Sequence, residues 1–218
     1  MTQLKSADPQ QTAAALSVGQ LPLKAPPWLG AVDDLEDAPT RILLAAAELF
    51  GQRSPARVSL RAIAARAEVN YGLIHHYFKT KEAILAELLR RASSTGAARM
   101  RDSQSIVEAL GRLVGNSDFT NYGSMLAWAM LEETDPQELP TASPAIALIT
   151  SLIAQQLGDH AELDPKIVAA VTVSALLGWR LYHPFITVAA ELQDRDEHEL
   201  TVDVLKAIQS IIGSIGRR

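Results

Sequence analysis

The chain has 218 residues, of which 48% are hydrophobic and none is cysteine. That composition is typical of a folded globular protein, and the length suits one or two domains. Without cysteine the chain can form no disulfide and no thiolate metal site, and thiol catalysis is excluded. A membrane-spanning helix is not expected either, because the most apolar run, residues 167–179, is shorter than the roughly 18 residues that such a helix needs.

The charge is distributed unevenly along the chain. The whole sequence carries 20 Lys or Arg against 25 Asp or Glu, a formal charge of −5. Residues 38–101 hold 11 of the basic residues and only 4 acidic ones, so this segment carries +7 and the remainder carries −12. A basic segment on an acidic body indicates a polyanion-binding module attached to a part that does not bind polyanions.

Residues 1–37 show no hydrophobic periodicity and contain scattered Pro, Gln, Ala and Ser, which predicts a mobile arm. The arm has no apolar run of the signal-peptide kind, so no export signal is expected. Its two lysines stand against five acidic residues, which argues against a DNA-gripping tail. Trp28 is expected to pack loosely on the folded body, with a partner-binding motif as the alternative.

The first predicted helix begins after Asp37, a candidate N-cap, and ends near Gly51. Its apolar residues recur at intervals of three and four, which is the period of a helix with one buried face. That face is expected to comprise Ile42, Leu43, Ala46, Ala47, Leu49 and Phe50. A second, short helix is predicted after Ser59, with Ile63 and Ala64 buried and its arginines turned away from the core.

A turn at Glu68 leads to a third helix of about two turns, which Asn70 can cap. Thr80 can cap a fourth helix, whose buried side is expected to comprise Ile84, Leu85, Leu88 and Leu89. The second and third helices have the spacing of a helix-turn-helix motif, because small Ala64 permits their close crossing and Ile74 faces inward.

Beyond Arg101 the chain shows further helical stretches and no strand-like alternation or glycine-rich strand-to-helix turn. They are expected at residues 103–115, 119–134, 143–158, 165–192 and 197–214. The predicted fold class is therefore all-α, with an N-terminal three-helix helix-turn-helix domain followed by a helical C-terminal domain. The predicted division is an arm over residues 1–37 and domains over residues 38–84 and 85–218.

The adjacent His75 and His76 suggest a metal or catalytic site, but helix geometry disfavours both. Neighbouring side chains on a helix point about 100° apart, so the pair cannot share one ion as an i, i+4 pair can. The chain has no HExxH motif, and neither histidine has an acid within one turn or a serine beside it. No metal, no cofactor and no enzymatic activity are therefore expected.

The outward face of the third helix carries mostly hydrogen-bonding and cationic side chains, of the kind that contact phosphates and major-groove base edges. They are Asn70, Tyr71, Leu73, His75 and His76, followed by Lys79 and Lys81. An ordinary surface helix is the alternative, and it leaves the +7 charge of the segment unexplained. The segment is therefore predicted to bind double-stranded DNA.

The run TRILLAAAELFGQRSPARVSLRAIAARAEVNYGLIHHYFKTKEAIL strongly resembles the DNA-binding domain of the TetR (tetracycline-repressor) family of bacterial transcriptional regulators. The shared features include an apolar first helix ending in Leu-Phe, Gly72, the aromatic and histidine cluster, Phe78 and Lys81. The resemblance implies that the third helix enters the major groove and that Lys81 contacts phosphate at a helix N-terminus. The residues expected to contact DNA are Arg41, Ser59, Arg61, Asn70, Tyr71, Gly72, Leu73, His75, His76, Tyr77, Lys79, Thr80 and Lys81.

Three features depart from the family pattern. Glu68 stands where glycine is usual in the turn, and a positive φ there would cost a glutamate on the order of 1 kcal/mol. His75 and Tyr77 stand where a tyrosine and a histidine are common, which leaves open whether residue 75 faces phosphate and residue 77 the core. Asn70 replaces the more frequent serine or threonine and keeps the ability to cap a helix.

The resemblance also implies an all-α C-terminal domain that forms a homodimer through its last two long helices. Small residues at Ala170, Ser174 and Gly178 permit close helix approach, and the final helix carries an apolar stripe. The expected dimer interface comprises Ser174, Gly178, Val204, Ile208, Ile211 and Ile215. Packing of both helices within one monomer is the alternative.

Members of this family often enclose a small-molecule pocket, so a pocket for a small apolar effector is expected here too. Aromatic and methionine side chains concentrate on two predicted helices, and the expected pocket residues are Tyr122, Met125, Trp128, Trp179, Tyr182 and His183. The alternative places these side chains in the hydrophobic core.

Together these features predict a cytoplasmic DNA-binding transcriptional regulator that acts as a ligand-responsive homodimeric repressor of a palindromic operator. An all-α ligand-binding or protein-interaction module without specific DNA readout is the alternative. No association with a membrane is expected.

Overall fold

The computed structural model of the chain describes residues 37–114, 117–132, 139, 142–158 and 162–215. These residues form nine α-helices and one short 3-10 helix, with no strand among them, which confirms the all-α prediction. The α-helices are α1 (Ala38–Gln52), α2 (Leu60–Ala67), α3 (Tyr71–Tyr77), α4 (Lys81–Met100), α5 (Ile106–Val114), α6 (Ser117–Leu131), α7 (Pro144–Leu157), α8 (Pro165–Ala189) and α9 (Glu197–Ile215). The 3-10 helix, η1, covers Pro55–Arg57. The predicted arm lies outside the described residues except for its last residue.

Helices α2, α3 and α4 begin where polar side chains satisfy their first backbone N–H groups, as the sequence predicted. Ser59 and Thr80 each accept a hydrogen bond from the backbone N–H three residues later at 3.1 Å. Asn70 accepts one from the backbone N–H two residues later at 2.8 Å. Asp37 precedes α1 but accepts instead from the hydroxyl of Thr40 at 3.2 Å, so its side chain does not cap the backbone.

Two hydrophobic clusters organise the described residues. The first is formed by α1 to α3, which we call the N-terminal unit, together with the first half of α4; Phe50, Ile63 and Ile74 are fully buried in it. The second lies among α5, α7, α8 and α9 and includes Leu110 and Ile153. Because α4 contributes to both clusters, it connects the N-terminal unit to the rest of the described residues. Within the described part of the chain, no helix is both long and apolar enough to cross a membrane.

The second half of α6 packs against the N-terminal unit. Met125 and Ala129 are buried in the same cluster as the helices of that unit. The predicted domain boundary at residue 84 therefore falls inside α4, and α6 reaches back across it.

Pro184 lies inside α8, which runs through this residue without ending. Proline lacks the N–H that would bond the carbonyl of Arg180. The Nδ1 atom of His183 lies 3.2 Å from that carbonyl oxygen, and the hydroxyl of Thr187 donates to the carbonyl of His183 at 2.7 Å. The His183 ring therefore takes the place of the one donor that proline removes.

The turn between α2 and α3 has a left-handed backbone at Glu68, the conformation that favours glycine. Glu68 has φ 53° and ψ 43°, and the N–H of Val69 donates to the carbonyl of Ala64 at 3.1 Å. This is the Schellman arrangement that ordinarily takes glycine at the left-handed position. Glutamate at this position therefore strains the turn.

Replacing Glu68 with glycine should raise the free energy of unfolding by about 0.5 to 1 kcal/mol, since glycine adopts positive φ without a Cβ penalty. The ion pair that Glu68 makes with Arg41 is exposed and 3.4 Å long, so its loss should cost little. Urea unfolding of Glu68→Gly beside Glu68→Ala measures the effect, because alanine removes the same carboxylate but keeps the Cβ. Equal stability of the two variants would contradict the strain argument.

Candidate nucleic-acid interface

The third helix presents an open face to solvent. Among its seven residues only Ile74 is buried, where it anchors α3 in the core of the N-terminal unit. Tyr71, His75, His76 and Tyr77 are all exposed. A helix held by one inward residue, with polar and aromatic side chains outward, has the form of a recognition helix that enters the major groove.

Three of the predicted DNA-contacting residues form one cluster on this face. The Nε2 atom of His75 lies 2.9 Å from the hydroxyl oxygen of Tyr71, and their rings meet edge to face with centroids 4.8 Å apart. The guanidinium of Arg61, on α2, lies 5.8 Å from the centroid of the Tyr71 ring. The cluster therefore joins the two helices of the motif and restricts the side chains that would meet DNA.

His75 and Tyr77, whose ring types are exchanged relative to the family pattern, are both exposed. Tyr77 is 46% exposed and packs its ring against the edge of His76 at 4.8 Å between centroids. Residue 77 therefore does not enter the core. Leu73 is half-buried beside the exposed residues.

Two lysines flank the start of α4. Lys79 is exposed and has a left-handed backbone with φ 65°, and Lys81 is the first residue of the helix. A helix N-terminus favours anions, so a lysine in this place does not stabilise the helix but strengthens binding of a phosphate. The cap formed by Thr80 leaves other N–H groups of the first turn directed outward.

Three other predicted residues brace the motif. Arg41 donates from Nη2 to the carbonyl oxygen of Glu68 at 3.2 Å, which fixes the turn between α2 and α3. Ser59 is engaged as the cap of α2. A Cβ at Gly72 would lie 3.3 Å from Oδ1 of Asn70, so glycine leaves room for that cap.

Part of the positive charge of residues 38–101 is used within the protein. Arg66 is paired with Glu48 at 2.7 Å, and its side chain is only 9% exposed. Arg90 and Arg91 both bond Glu87, and the hydrogen bond from Arg90 holds the pKa of that carboxyl below its usual value. The sequence charge therefore overstates the number of cations that face DNA, because charge counts do not show these pairs.

An apolar cavity of about 80 Å³ lies between α4, α6, α7 and α8. Its polar atoms are few. The hydroxyls of Ser93 and Ser143 are 2.8 Å apart, and Arg99 also lines the cavity. Burial raises the pKa of Tyr122, so its hydroxyl remains protonated and able to donate a hydrogen bond.

The structure does not bring the six predicted pocket residues together. Tyr122 lines the apolar cavity, but Met125 is only 1% exposed and belongs to the core that α6 shares with the N-terminal unit. Trp128 lies on the outer side of the same helix. The spacing of Tyr122, Met125 and Trp128 predicts that they lie on neighbouring parts of one helix surface. It does not predict which other helix packs against each residue.

The predicted pocket residues of α8 lie elsewhere. Trp179 and His183 line a separate, more polar groove beside the connection from α8 to α9, and Tyr182 is exposed. His183 also serves the carbonyl that Pro184 leaves without its usual donor. This contact keeps the His183 ring beside its own helix, and His183 does not line the apolar cavity.

The predicted dimer interface is divided between an exposed face and the core. On α9, Ile208 is buried within the monomer, and Val204 and Ile215 pack on the same cluster, so only Ile211 is exposed. Within one subunit this stripe packs against α5 and α7, with Ile208 buried and Val204 and Ile215 half-buried.

An apolar stripe on α8 is exposed among the described residues. Ser174 is exposed and Gly178 half-buried on this face, and the large exposed side chains at helical spacing beside them are Ile167, Val171, Tyr182 and Phe185. Val171 and Phe185 are 61% and 74% exposed. A continuous exposed apolar stripe of this kind marks an interaction surface.

The sequence and the fold both relate the chain to bacterial regulators. Residues 42–88 match the family model of bacterial regulatory proteins of the tetR family. The transcriptional repressor Rv3405c of Mycobacterium tuberculosis is 28% identical over 177 residues, which cover 81% of this chain and 90% of the relative. The regulator UidR of Escherichia coli is 25% identical over 147 residues, which cover 63% of this chain and 75% of the relative.

Solved structures show the same fold. The protein SCO4942 of Streptomyces coelicolor aligns with a TM-score of 0.61 at 23% identity, covering 80% of this chain and 98% of the other. NalD, the secondary repressor of the MexAB-OprM multidrug efflux pump in Pseudomonas aeruginosa, aligns with a TM-score of 0.51 at 19% identity, covering 81% and 97%. The family match spans the helix-turn-helix helices and the first part of α4, which carry the exposed basic and aromatic face. Residues 42–88 are a DNA-binding domain of the tetR family of bacterial regulatory proteins, and the chain is a DNA-binding transcriptional regulator.

Proposed function

We propose that the chain is a homodimeric transcriptional repressor that acts in the cytoplasm, binds a two-fold symmetric operator and responds to a small, mainly apolar effector. The observation that carries the proposal is the exposed face of α3 beside the lysine-flanked start of α4. Repression is favoured over activation because the relative Rv3405c and the structural neighbour NalD are named as repressors. A module without DNA readout is not favoured, since it has no use for that face.

Selection of duplexes from a random pool by the purified protein, followed by footprinting, tests the DNA-binding part of the proposal. The expected site contains two inverted half-sites whose centres lie about 10 base pairs apart, or a multiple of that spacing. Transcription from a promoter carrying the site should fall when the protein is present. A single asymmetric site, or increased transcription, would contradict the symmetric-repressor proposal.

The apolar stripe on α8 is the proposed centre of the dimer interface, and small residues on it allow two copies of the helix to approach closely. Phe185→Asp should yield a folded monomer, because the side chain is already exposed in one subunit and its replacement disturbs no core contact. Sedimentation velocity measures the change. Operator affinity should fall with it, since one subunit contacts only one half-site.

Leu131→Asp is the matched control, because Leu131 is also 74% exposed but lies on α6. It should leave the dimer intact. A dimer that survives Phe185→Asp at the same concentration would place the interface elsewhere.

The apolar cavity is the proposed effector site. Its volume of about 80 Å³ is smaller than the roughly 150 Å³ of an engineered cavity that binds benzene, so an effector must displace the surrounding helices as it enters. One of those helices is α4, whose other end carries Lys81 about 22 Å away. A shift of α4 would change the separation of the two recognition helices from the roughly 34 to 36 Å that suits successive major grooves.

A further inference from the structure

A carboxylate at the end of α6 holds the loop between α1 and α2. The Oε1 atom of Glu132 accepts a hydrogen bond from the backbone N–H of Ala56 at 3.0 Å and another from the hydroxyl of Ser54. Ser54 also caps η1 by accepting from the same N–H at 3.2 Å. Hydrogen bonds to an ionised carboxylate are stronger than neutral ones, so this contact is a specific tie between α6 and the N-terminal unit.

The same helix forms a wall of the apolar cavity. Phe119, Tyr122 and Leu126 line the cavity from α6, while Met125 and Ala129 are buried in the core of the N-terminal unit. Tyr122 and Leu126 also pack against that core. A displacement of α6 at the cavity therefore reaches the N-terminal unit without passing through α4.

The tie lies close to the residues that meet DNA. Two residues separate Ala56 from Ser59, which caps α2, and Arg61 in the first turn of α2 lies over the ring of Tyr71. A movement of η1 would therefore shift α2 relative to α3 and separate this pair.

We propose that Glu132 is a positioning residue of the DNA-binding unit: it fixes η1 and the start of α2, and it transmits displacement of α6 from the cavity to that unit in parallel with α4. The proposal rests on the proposed function, in which the cavity takes the effector and α3 meets DNA. The N–H of Ala56 is a direct reporter of the tie, because it donates to Glu132.

Amide hydrogen exchange of the peptide over residues 54–58 tests the positioning role. Glu132→Ala should speed exchange at Ala56 about tenfold, since its N–H loses one of its two acceptors and Ser54, the other acceptor, loses its own bond to the carboxylate. Glu132→Gln should restore protection, because its amide oxygen can accept both bonds. Glu162→Ala, at an exposed residue beside the start of α8, removes the same charge and should change nothing in this peptide. Unchanged exchange at Ala56 in Glu132→Ala would overturn the proposal.

A cavity-filling substitution replaces the unidentified effector in the test of transmission. Ala145→Leu enlarges a side chain that lines the cavity, and Ala147→Leu makes the same change at an exposed position of the same helix. Ala145→Leu should speed exchange over residues 54–58 severalfold, and Ala147→Leu should not. Val173→Phe fills the cavity from α8 and supplies a second test if the first variant does not fold.

Combination with Glu132→Ala decides whether the tie carries the effect. If Glu132 transmits the displacement, Ala145→Leu should cause no further acceleration at Ala56 once the carboxylate is gone. The same acceleration in both backgrounds, or none in either, would overturn transmission through Glu132. Duplex binding is measured separately on the unaltered protein, so a failure to bind DNA would contradict the proposed function and leave the exchange result to decide the role of Glu132.

Discussion

Replacing Lys79 and Lys81 together with alanine should weaken operator binding about a thousandfold at 0.15 M salt. The slope of log affinity against log salt should become less negative by about 3 to 4. The magnitude follows from four lost phosphate contacts in a dimer, each of which releases about one counterion. Stability should be unchanged or slightly higher, because a lysine at the first position of α4 opposes the helix dipole. Fluorescence anisotropy at several salt concentrations measures both quantities.

The control for this variant removes two lysines from the C-terminal helices. Lys166 and Lys206 are both exposed, so Lys166→Ala with Lys206→Ala causes the same change in net charge. This control should leave the salt slope unaltered. If both double variants bind alike, then the basic residues act through overall charge and Lys79 and Lys81 make no phosphate contact.

Truncating Ile74 to alanine should lower the free energy of unfolding by about 2 to 5 kcal/mol, since a fully buried side chain is replaced by a cavity. Ile74 is also the only fully buried residue of α3, so the recognition helix should lose its fixed orientation. We expect operator affinity to fall more than the folded fraction does. Urea unfolding and duplex titration on the same samples separate the two effects.

Ile153→Ala provides the matched comparison, because Ile153 is equally buried but lies in the cluster of α5, α7, α8 and α9. Its cost in stability should be similar, and its effect on operator binding by folded protein should be small. Ile74→Val should cost about 1 kcal/mol and keep most of the affinity. Equal affinities of the two alanine variants would show that Ile74 does not orient α3.

The helix-turn-helix region follows closely from the sequence because its determinants are local. Caps at Ser59, Asn70 and Thr80 form at the predicted residues. The left-handed turn is at Glu68, the position where the family usually has glycine. The buried side of α4 is also confirmed through Ile84 and the leucines that follow it. Local chemistry determines each of these features, so one sequence is enough to predict them.

The C-terminal features depend on contacts between distant segments, and the sequence predicted them less well. Ile208 and Ile211 share one apolar stripe, yet one is buried and the other exposed. Likewise Tyr122 and Met125 both lie on α6, but Tyr122 lines the apolar cavity and Met125 is buried in the core of the N-terminal unit. The tie made by Glu132 left no sequence signal, because a glutamate before a loop has no periodicity and its partners are more than 70 residues away.

A salt titration of the unaltered protein on its selected operator tests the central claim most directly. The cations Arg61, Lys79 and Lys81 of two subunits predict a linear fall of log affinity with log salt, with a slope of about −5 or steeper. A scrambled duplex of the same length should bind far more weakly at 0.15 M salt. Absence of duplex binding at 50 mM salt, or a slope near zero, would contradict the assignment of α3 and the start of α4 as the DNA-binding surface.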